Sequence, residues 1–232
     1  MRNKVFYIAF ILLVLGCKKQ NEWLSEKNEK SLVVPETLRD FQALLDDQSS
    51  INDRFPTDGL VGTDNIILLD VDFLSSNEYT RNLYSWNKNI WSDGTSTTWN
   101  NQFATIFRTN AVLQGLTKTN PTAENKLQYN NILGQAHFIR AFTYYNLAQL
   151  YCAQYDPTTS TYVLGLPLRK TVDVNLLVKR SSLKETYNFI IDDLRAAIEL
   201  LPIKSDHNRR ANRIAANALL SKVYLHMEDY EQ

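Results

Sequence analysis

Residues 123–152 read AENKLQYNNILGQAHFIRAFTYYNLAQLYC, and this stretch decides the fold. Between Lys126 and Asp156 its one formal charge is Arg140. Phe138, Ile139, Phe142, Tyr144, Tyr145, Leu147 and Leu150 leave no polar face in the second half, so the pattern predicts a central helix covered by neighbours all round. A buried guanidinium costs several kcal/mol unless it is met, so Arg140 is expected to have a carboxylate or a set of carbonyl oxygens as its partner. Its role is structural.

The flanking segments supply the covering helices. From Trp99 onward, Trp99, Phe103, Ile106, Asn110 and Leu113 fall on one stripe at alternating spacings of four and three. Asn110 is the polar member, and an amide on an apolar stripe is expected to bond a neighbouring loop. Downstream, Asp156-Pro157-Thr158-Thr159-Ser160 signals a turn and Gly165-Leu166-Pro167-Leu168 an extended piece. Ser182 and Glu185 have the spacing of a capping box. Leu183, Tyr187, Ile190, Leu194, Ala197 and Leu201 then form an inward stripe, Lys184, Asn188, Asp192, Arg195 and Glu199 the opposite face, and Pro202 ends the helix. A last helix from about Arg213 turns Ala216, Leu220, Val223 and Met227 inward, with small Ala215 and Ala218 allowing close approach.

Toward the amino terminus, Thr37 and Asp40 make a second capping-box pattern ahead of Leu38, Phe41 and Leu45 on one helical face. Residues 46–98 keep no sustained helical period and are rich in Asn, Asp, Ser and Thr. They predict a long ordered excursion with short strands near Ile66 to Leu69, and a stretch of that size in a compact domain usually binds something.

The first 17 residues have a different logic. Met1-Arg2-Asn3-Lys4 precedes an apolar run from Val5 to Leu15, too short to span a bilayer, and then Gly16-Cys17. That is a signal peptide over residues 1–16, and Val14-Leu15-Gly16-Cys17 resembles the lipoprotein signal, with Cys17 as the lipidated residue. One acyl chain anchors marginally and several hold stably. Residues 17–31, polar and mostly charged, read as the tether, and residues 32–232 as the folded domain.

Composition excludes several functions. Removing residues 1–16 takes Arg2 and Lys4 from the 25 basic side chains and leaves 23 against 25 acidic ones, which argues against nucleic-acid binding through a basic face. With Cys17 lipidated, Cys152 has no disulfide partner. His137, His207 and His226 lack the spacing of a zinc set, so no transition metal or other cofactor is expected, and calcium stays open because oxygen-rich loops can hold it. No Gly-x-Ser-x-Gly, His-Glu-x-x-His or phosphate loop is present. The adjacent pairs Asp46-Asp47 and Asp192-Asp193 read as solvated groups on helix surfaces or ends, not as the opposed carboxylates of a glycosidase. The chain is read as no enzyme.

The helical blocks together resemble the SusD/RagB family of lipoproteins. The matching pieces are Trp99 with Ile106 and Asn110, Gly134 to Phe142, Tyr144 to Leu147, Gly165 to Leu168, Arg180-Ser181-Ser182, Tyr187, Ile191 with Asp193-Leu194, Leu201-Pro202 and Ala215 to Leu225. Trp23-Leu24, Ser31 to Pro35 and Phe41 to Asp46 are similar to the family's amino-terminal segment. Gln135 and His137 depart from the acidic and basic residues common there, and Lys18 to Asn21 from the acidic residues often found after a surface-exported cysteine.

The resemblance implies a mainly α fold of tetratricopeptide-like helix pairs carrying an irregular, loop-rich excursion, with this chain as the amino-terminal part, truncated at its carboxyl end. Ala136, Ile139 and Tyr144 recur as Ala216, Leu219 and Tyr224 at an offset of 80, a loose internal similarity. It further implies a non-catalytic glycan-binding lipoprotein, lipid-anchored in the outer membrane and facing the cell surface, that captures oligosaccharide for a SusC-like TonB-dependent transporter. The alternative is a helical scaffold that grips another protein without binding sugar. Asp64, Tyr79, Arg81, Tyr84, Trp86, Asn87, Asn89 and Trp91 give the excursion the aromatic faces and hydrogen-bonding groups that sugars require. Trp86 and Trp91 either pack the excursion against the helices or serve as sugar platforms, and at least one is expected to be a platform.

Overall fold

A computed structural model of the chain describes residues 35–91, 94 and 96–231. The predicted signal peptide, Cys17 and the tether lie outside the described residues. Among those described, the order is α1 (Leu38–Asp46), a 3-10 turn (Asn52–Arg54), α2 (Asp58–Val61), α3 (Asp70–Ser75), α4 (Glu78–Tyr84), α5 (Thr97–Leu116), α6 (Lys126–Tyr151), β1 (Leu164–Pro167), β2 (Arg180–Ser182), α7 (Leu183–Leu200) and α8 (Arg213–His226). The fold is mainly helical, and none of these helices is long and apolar enough to cross a membrane.

The long helix α6 is central. Helices α5 and α7 pack along it, α8 packs on α7, and α1 lies across α5 and α6. The main core gathers Ile106 of α5, Tyr144, Tyr145 and Leu147 of α6, Leu183, Tyr187, Ile190 and Leu194 of α7, and Val223 of α8. A second cluster joins Phe41 and Leu45 of α1 to Val112, Leu116, Ile132 and Ala136. Here the Phe41 ring lies directly on Gly115, where a Cβ would overlap it.

Both capping boxes form. Thr37 and Asp40 exchange side-chain and backbone hydrogen bonds at α1, as do Ser182 and Glu185 at α7, and each satisfies two amide donors that a helix start leaves unpaired. All six residues of the predicted α7 stripe are buried, and the five assigned to the opposite face are exposed. The predicted extended piece becomes β1, antiparallel to β2 with Leu164 opposite Ser182. On α8, Leu219 and Tyr224 join Ala216 and Val223 in the buried set, Leu220 and Met227 pack at its edge, and Ala218 is exposed, contrary to its predicted close approach.

Arg140 finds the predicted carboxylate in Asp193. Its Nε and Nη2 donate to the two oxygens of Asp193 at 2.7 Å each, and its Nη1 to Asn110 Oδ1 at 2.8 Å. Asn110 Nδ2 in turn donates to the carbonyl of Arg169 at 3.0 Å, the loop contact expected of it. His137 Nδ1 adds a further 2.7 Å contact to Asp193, and the guanidinium lies 4.9 Å from the Phe189 ring centroid. One polar cluster thus ties α5, α6, α7 and the loop after β1 together. The solvated reading of Asp193 is wrong: it is 4% exposed, because it lies three residues after Ile190 and four before Ala197 on the inward face, while its neighbour Asp192 is exposed. Burial raises the carboxyl pKa, but hydrogen bonds from Arg140 and His137 outweigh it and hold Asp193 below its ordinary 3.8.

The excursion differs from expectation in its local structure. Helices α2, α3 and α4 occupy it, each too short to leave a hydrophobic period, and Ile66 to Leu69 run without strand pairing.

Candidate functional site

The carboxyl end of α6 and the excursion enclose a groove of about 540 Å³. One wall is Gln149, Leu150 and Tyr151 of α6; the other comes from Asp58, Gly59 and Gly62 with Thr63 beyond them, Tyr79 and Leu83 of α4, and the segment Trp86, Asn87, Ile90 and Trp91. Its surface is mainly apolar, with hydroxyl, amide and carboxylate groups set among aromatic rings.

Tyr151 is the fixed element of the wall. Its hydroxyl shares a 2.7 Å hydrogen bond with Ser96 Oγ, whose oxygen also accepts from the amide of Trp99 to cap α5. The edge of its ring contact with Trp99 has centroids 5.1 Å apart and planes at 87°. On its other contact Trp91 stacks, with centroids 6.2 Å apart and planes 21° from parallel. Three aromatic side chains from α5, α6 and the excursion therefore brace one another. Burial pushes the Tyr151 hydroxyl above its ordinary pKa, and at Tyr79 burial, followed by hydrogen bonding to and the charge of Asp58, does the same. Both stay protonated donors at neutral pH.

Trp86 reaches the groove through a strained cap. After α4, the amide of Asn87 bonds the carbonyl of Asn82 at 2.8 Å and that of Trp86 the carbonyl of Leu83 at 3.2 Å, the two bonds of a Schellman motif. The motif puts its first residue past the cap in the left-handed region, and Trp86 has φ +55° where glycine or asparagine is preferred. Glu228 ends α8 in the same conformation, so the cap alone carries no function. What distinguishes Trp86 is a large apolar ring left 76% exposed on such a cap.

Of the eight residues predicted for ligand contact, Tyr79, Trp86, Asn87 and Trp91 line this groove. The other four do not. The Arg81 guanidinium donates to the Ser76 carbonyl, the Tyr84 hydroxyl accepts from the Leu68 amide at 3.2 Å, the Asn89 amide donates to Asn87 Oδ1 at 3.1 Å, and Asp64 is exposed outside the lining. Trp91 is 38% exposed, packing on Tyr151 and open to the groove at once. Asp58, Gln149 and Tyr151 were not foreseen; Tyr151 carried the one available signal, a tyrosine at the end of a helix otherwise read as core.

A larger cleft, about 890 Å³, opens near the other end of α6, beside Leu127 to Asn131. Arg39, Asp46, Lys204, Asp206, Arg210 and Arg213 line it, and Arg210 bridges it by a two-bond pair with Asp46 at 2.9 and 2.6 Å. Among the described residues its lining has no aromatic side chain, so the smaller groove is the one suited to stacking against a flat apolar face. Among the described residues no three His, Cys, Asp or Glu side chains converge to hold a metal ion.

The family model for SusD-like proteins, described as starch-binding and associating with the outer membrane, matches residues 22–225. The chain belongs to the SusD-like family. Its relatives include SusD-like protein P2 of Formosa agariphila, 24% identical over 241 residues that cover 100% of this chain and 44% of the relative. Among solved structures, a putative sugar binding protein from Bacteroides vulgatus superposes with a TM-score of 0.68 at 23% identity, over 86% of this chain and 44% of that one. A SusD superfamily protein from Bacteroides thetaiotaomicron gives 0.66 at 23% identity, over 84% and 44%. A laminarin-binding SusD-like protein gives 0.50 at 24% identity, over 65% and 30%. This SusD-like chain spans less than half the length of these relatives.

Proposed function

We propose that the chain provides a non-catalytic glycan-binding surface, with the groove between α6 and the excursion as the place where oligosaccharide is held. The observation that carries this reading is the braced set of rings: Trp91 against Tyr151, Tyr151 against Trp99, and an exposed Trp86 on the same groove. Pyranose rings offer flat C–H faces to such aromatics, while Asn87, Gln149 and the two tyrosine hydroxyls offer hydrogen bonds to sugar hydroxyls. Hydrolysis is not part of the proposal, since glycosidases set two carboxylates about 5 to 10 Å apart across the bond and the described lining contributes Asp58 alone.

The family's carbohydrate binding and outer-membrane association support the rest of the reading. In it, Cys17 carries the lipid anchor, the protein faces outward, and captured oligosaccharide passes to a SusC-like TonB-dependent transporter. Affinity electrophoresis through gels cast with soluble polysaccharides, laminarin among them, tests the first part. Retardation without release of reducing ends supports capture, whereas reducing-end release refutes the non-catalytic reading. Purification from native membranes tests the second: a co-purifying barrel protein is expected, and isolation free of any barrel contradicts the partnership.

A further inference from the structure

We infer that the groove is a charge filter: it takes neutral oligosaccharides and rejects uronate-bearing or sulfated ones, with Asp58 as the residue that sets the discrimination. The inference rests on the glycan-binding reading and narrows it to a substrate class.

The lining of the groove, among the described residues, holds one charged side chain, Asp58, and no lysine, arginine or histidine. An anionic sugar brought there would lose water around its carboxylate or sulfate and gain no cation in return. Such groups are bound through Arg or Lys, whose charge-assisted hydrogen bonds offset desolvation. Apolar walls make the mismatch worse, because like charges repel more strongly where the effective dielectric falls below that of water. The molecule does not lack cations: Arg39, Lys204, Arg210 and Arg213 line the cleft beside the other end of α6. Those four lie away from the aromatic groove; nearer to it, the Arg180 guanidinium is not in the lining and is held by the carbonyls of Tyr151 at 3.4 Å, Leu164 at 3.3 Å and Gly165 at 2.6 Å.

Asp58 is also positioned to favour neutral chains. It begins α2, and Thr98 Oγ1 at the start of α5 donates to its Oδ1 at 3.0 Å, which fixes the carboxylate relative to the helical frame. A carboxylate has about four lone-pair sites, so hydroxyls of a neutral sugar have acceptors to meet after Thr98 has taken its share. The same oxygens meet a uronate or sulfate only with repulsion. Tyr79, beside Asp58, is held protonated by burial and by its hydrogen bond to that carboxylate, so it adds no cation.

The test is calorimetric titration of the full chain with length-matched oligosaccharides at low and high salt. Maltohexaose and laminarihexaose serve as neutral probes, hexagalacturonate and a sulfated gluco-oligosaccharide as anionic ones. Wild type is expected to bind a neutral probe and to bind the anionic probes at least about tenfold more weakly at low salt, with a smaller gap at high salt. Asp58→Asn, which keeps the shape and an acceptor for Thr98, is expected to close most of that gap, because neutral probes lose acceptor capacity while anionic probes lose a repulsion. Anionic probes binding wild type as well as neutral ones overturns the filter, and this comparison needs no variant to fold. A gap that Asp58→Asn leaves unchanged overturns the assignment to Asp58. Failure of every probe to bind is a different result: it removes the glycan-binding reading itself, and the filter with it.

Discussion

Arg140 and Asp193 meet through two parallel hydrogen bonds, Nε to Oδ2 and Nη2 to Oδ1, both 2.7 Å long. The pair joins α6 to α7, and through Asn110 it reaches α5 and the loop that follows β1. A buried pair of this kind is weak evidence of net stabilisation, because desolvating both ions offsets much of their attraction. Breaking it is another matter. Asp193→Ala is expected to cost about 3–5 kcal/mol by leaving the guanidinium uncompensated. Urea unfolding of the single variants and of Asp193→Ala with Arg140→Met is the check, and the double variant is expected to be less destabilised than the sum of the two. Additive losses contradict the coupling.

The same pair predicts acid sensitivity. Asp193 has its folded-state pKa held below the ordinary 3.8, so its contribution is fully present above that value. It is lost as pH falls through the lower folded value. Wild type is therefore expected to lose stability below about pH 4 more steeply than Asp193→Asn, measured by thermal melts across the acid range. Parallel curves rule out Asp193 as a source of the slope.

Trp86 sets stability against function. Its φ of +55° costs a non-glycine residue about 1–2 kcal/mol, and its exposed ring recovers little of that by burial. Trp86→Gly and Trp86→Asn are expected to raise stability by up to about 1 kcal/mol while lowering glycan affinity. A variant both less stable and equally able to bind glycan contradicts the assignment.

Gly115 is required by close approach. A Cβ there would overlap the Phe41 ring and force α1 away from α5. Gly115→Ala is expected to lose about 1–3 kcal/mol through overpacking, despite alanine's better helix propensity. Gly115→Ala combined with Phe41→Leu, which withdraws the ring, is expected to lose less than Phe41→Leu and Gly115→Ala added together.

Much of the frame was legible because its signals are local. The capping boxes at Thr37 and Ser182, the stop at Pro202 and the six-residue stripe of α7 each depend on residues within a few turns, and each appears in the structure. The need of Arg140 for a partner, a carboxylate or a set of carbonyl oxygens, also followed from burial alone. Its identity did not, because reading Asp192-Asp193 as one acidic pair hid the fact that adjacent helix positions point 100° apart. The excursion was opaque for a different reason. A helix as short as α2, Asp58–Val61, cannot display a period of 3.6, and the β-branched run at Ile66 imitated a strand that has no partner. Half of the predicted contact residues miss the groove for the same cause: composition selected them, and composition carries no direction. Asp58 and Tyr151 stand far apart in sequence and meet only through the fold.

The braced aromatic groove as a glycan platform is the central claim, and titration of a neutral soluble polysaccharide into wild type, Trp86→Ala, Trp91→Ala and the double variant tests it most directly. Each single variant is expected to stay folded by circular dichroism and to lose about tenfold or more in affinity, the scale of an exposed aromatic anchor, with binding abolished in the double variant. A folded double variant that binds as tightly as wild type would contradict the account.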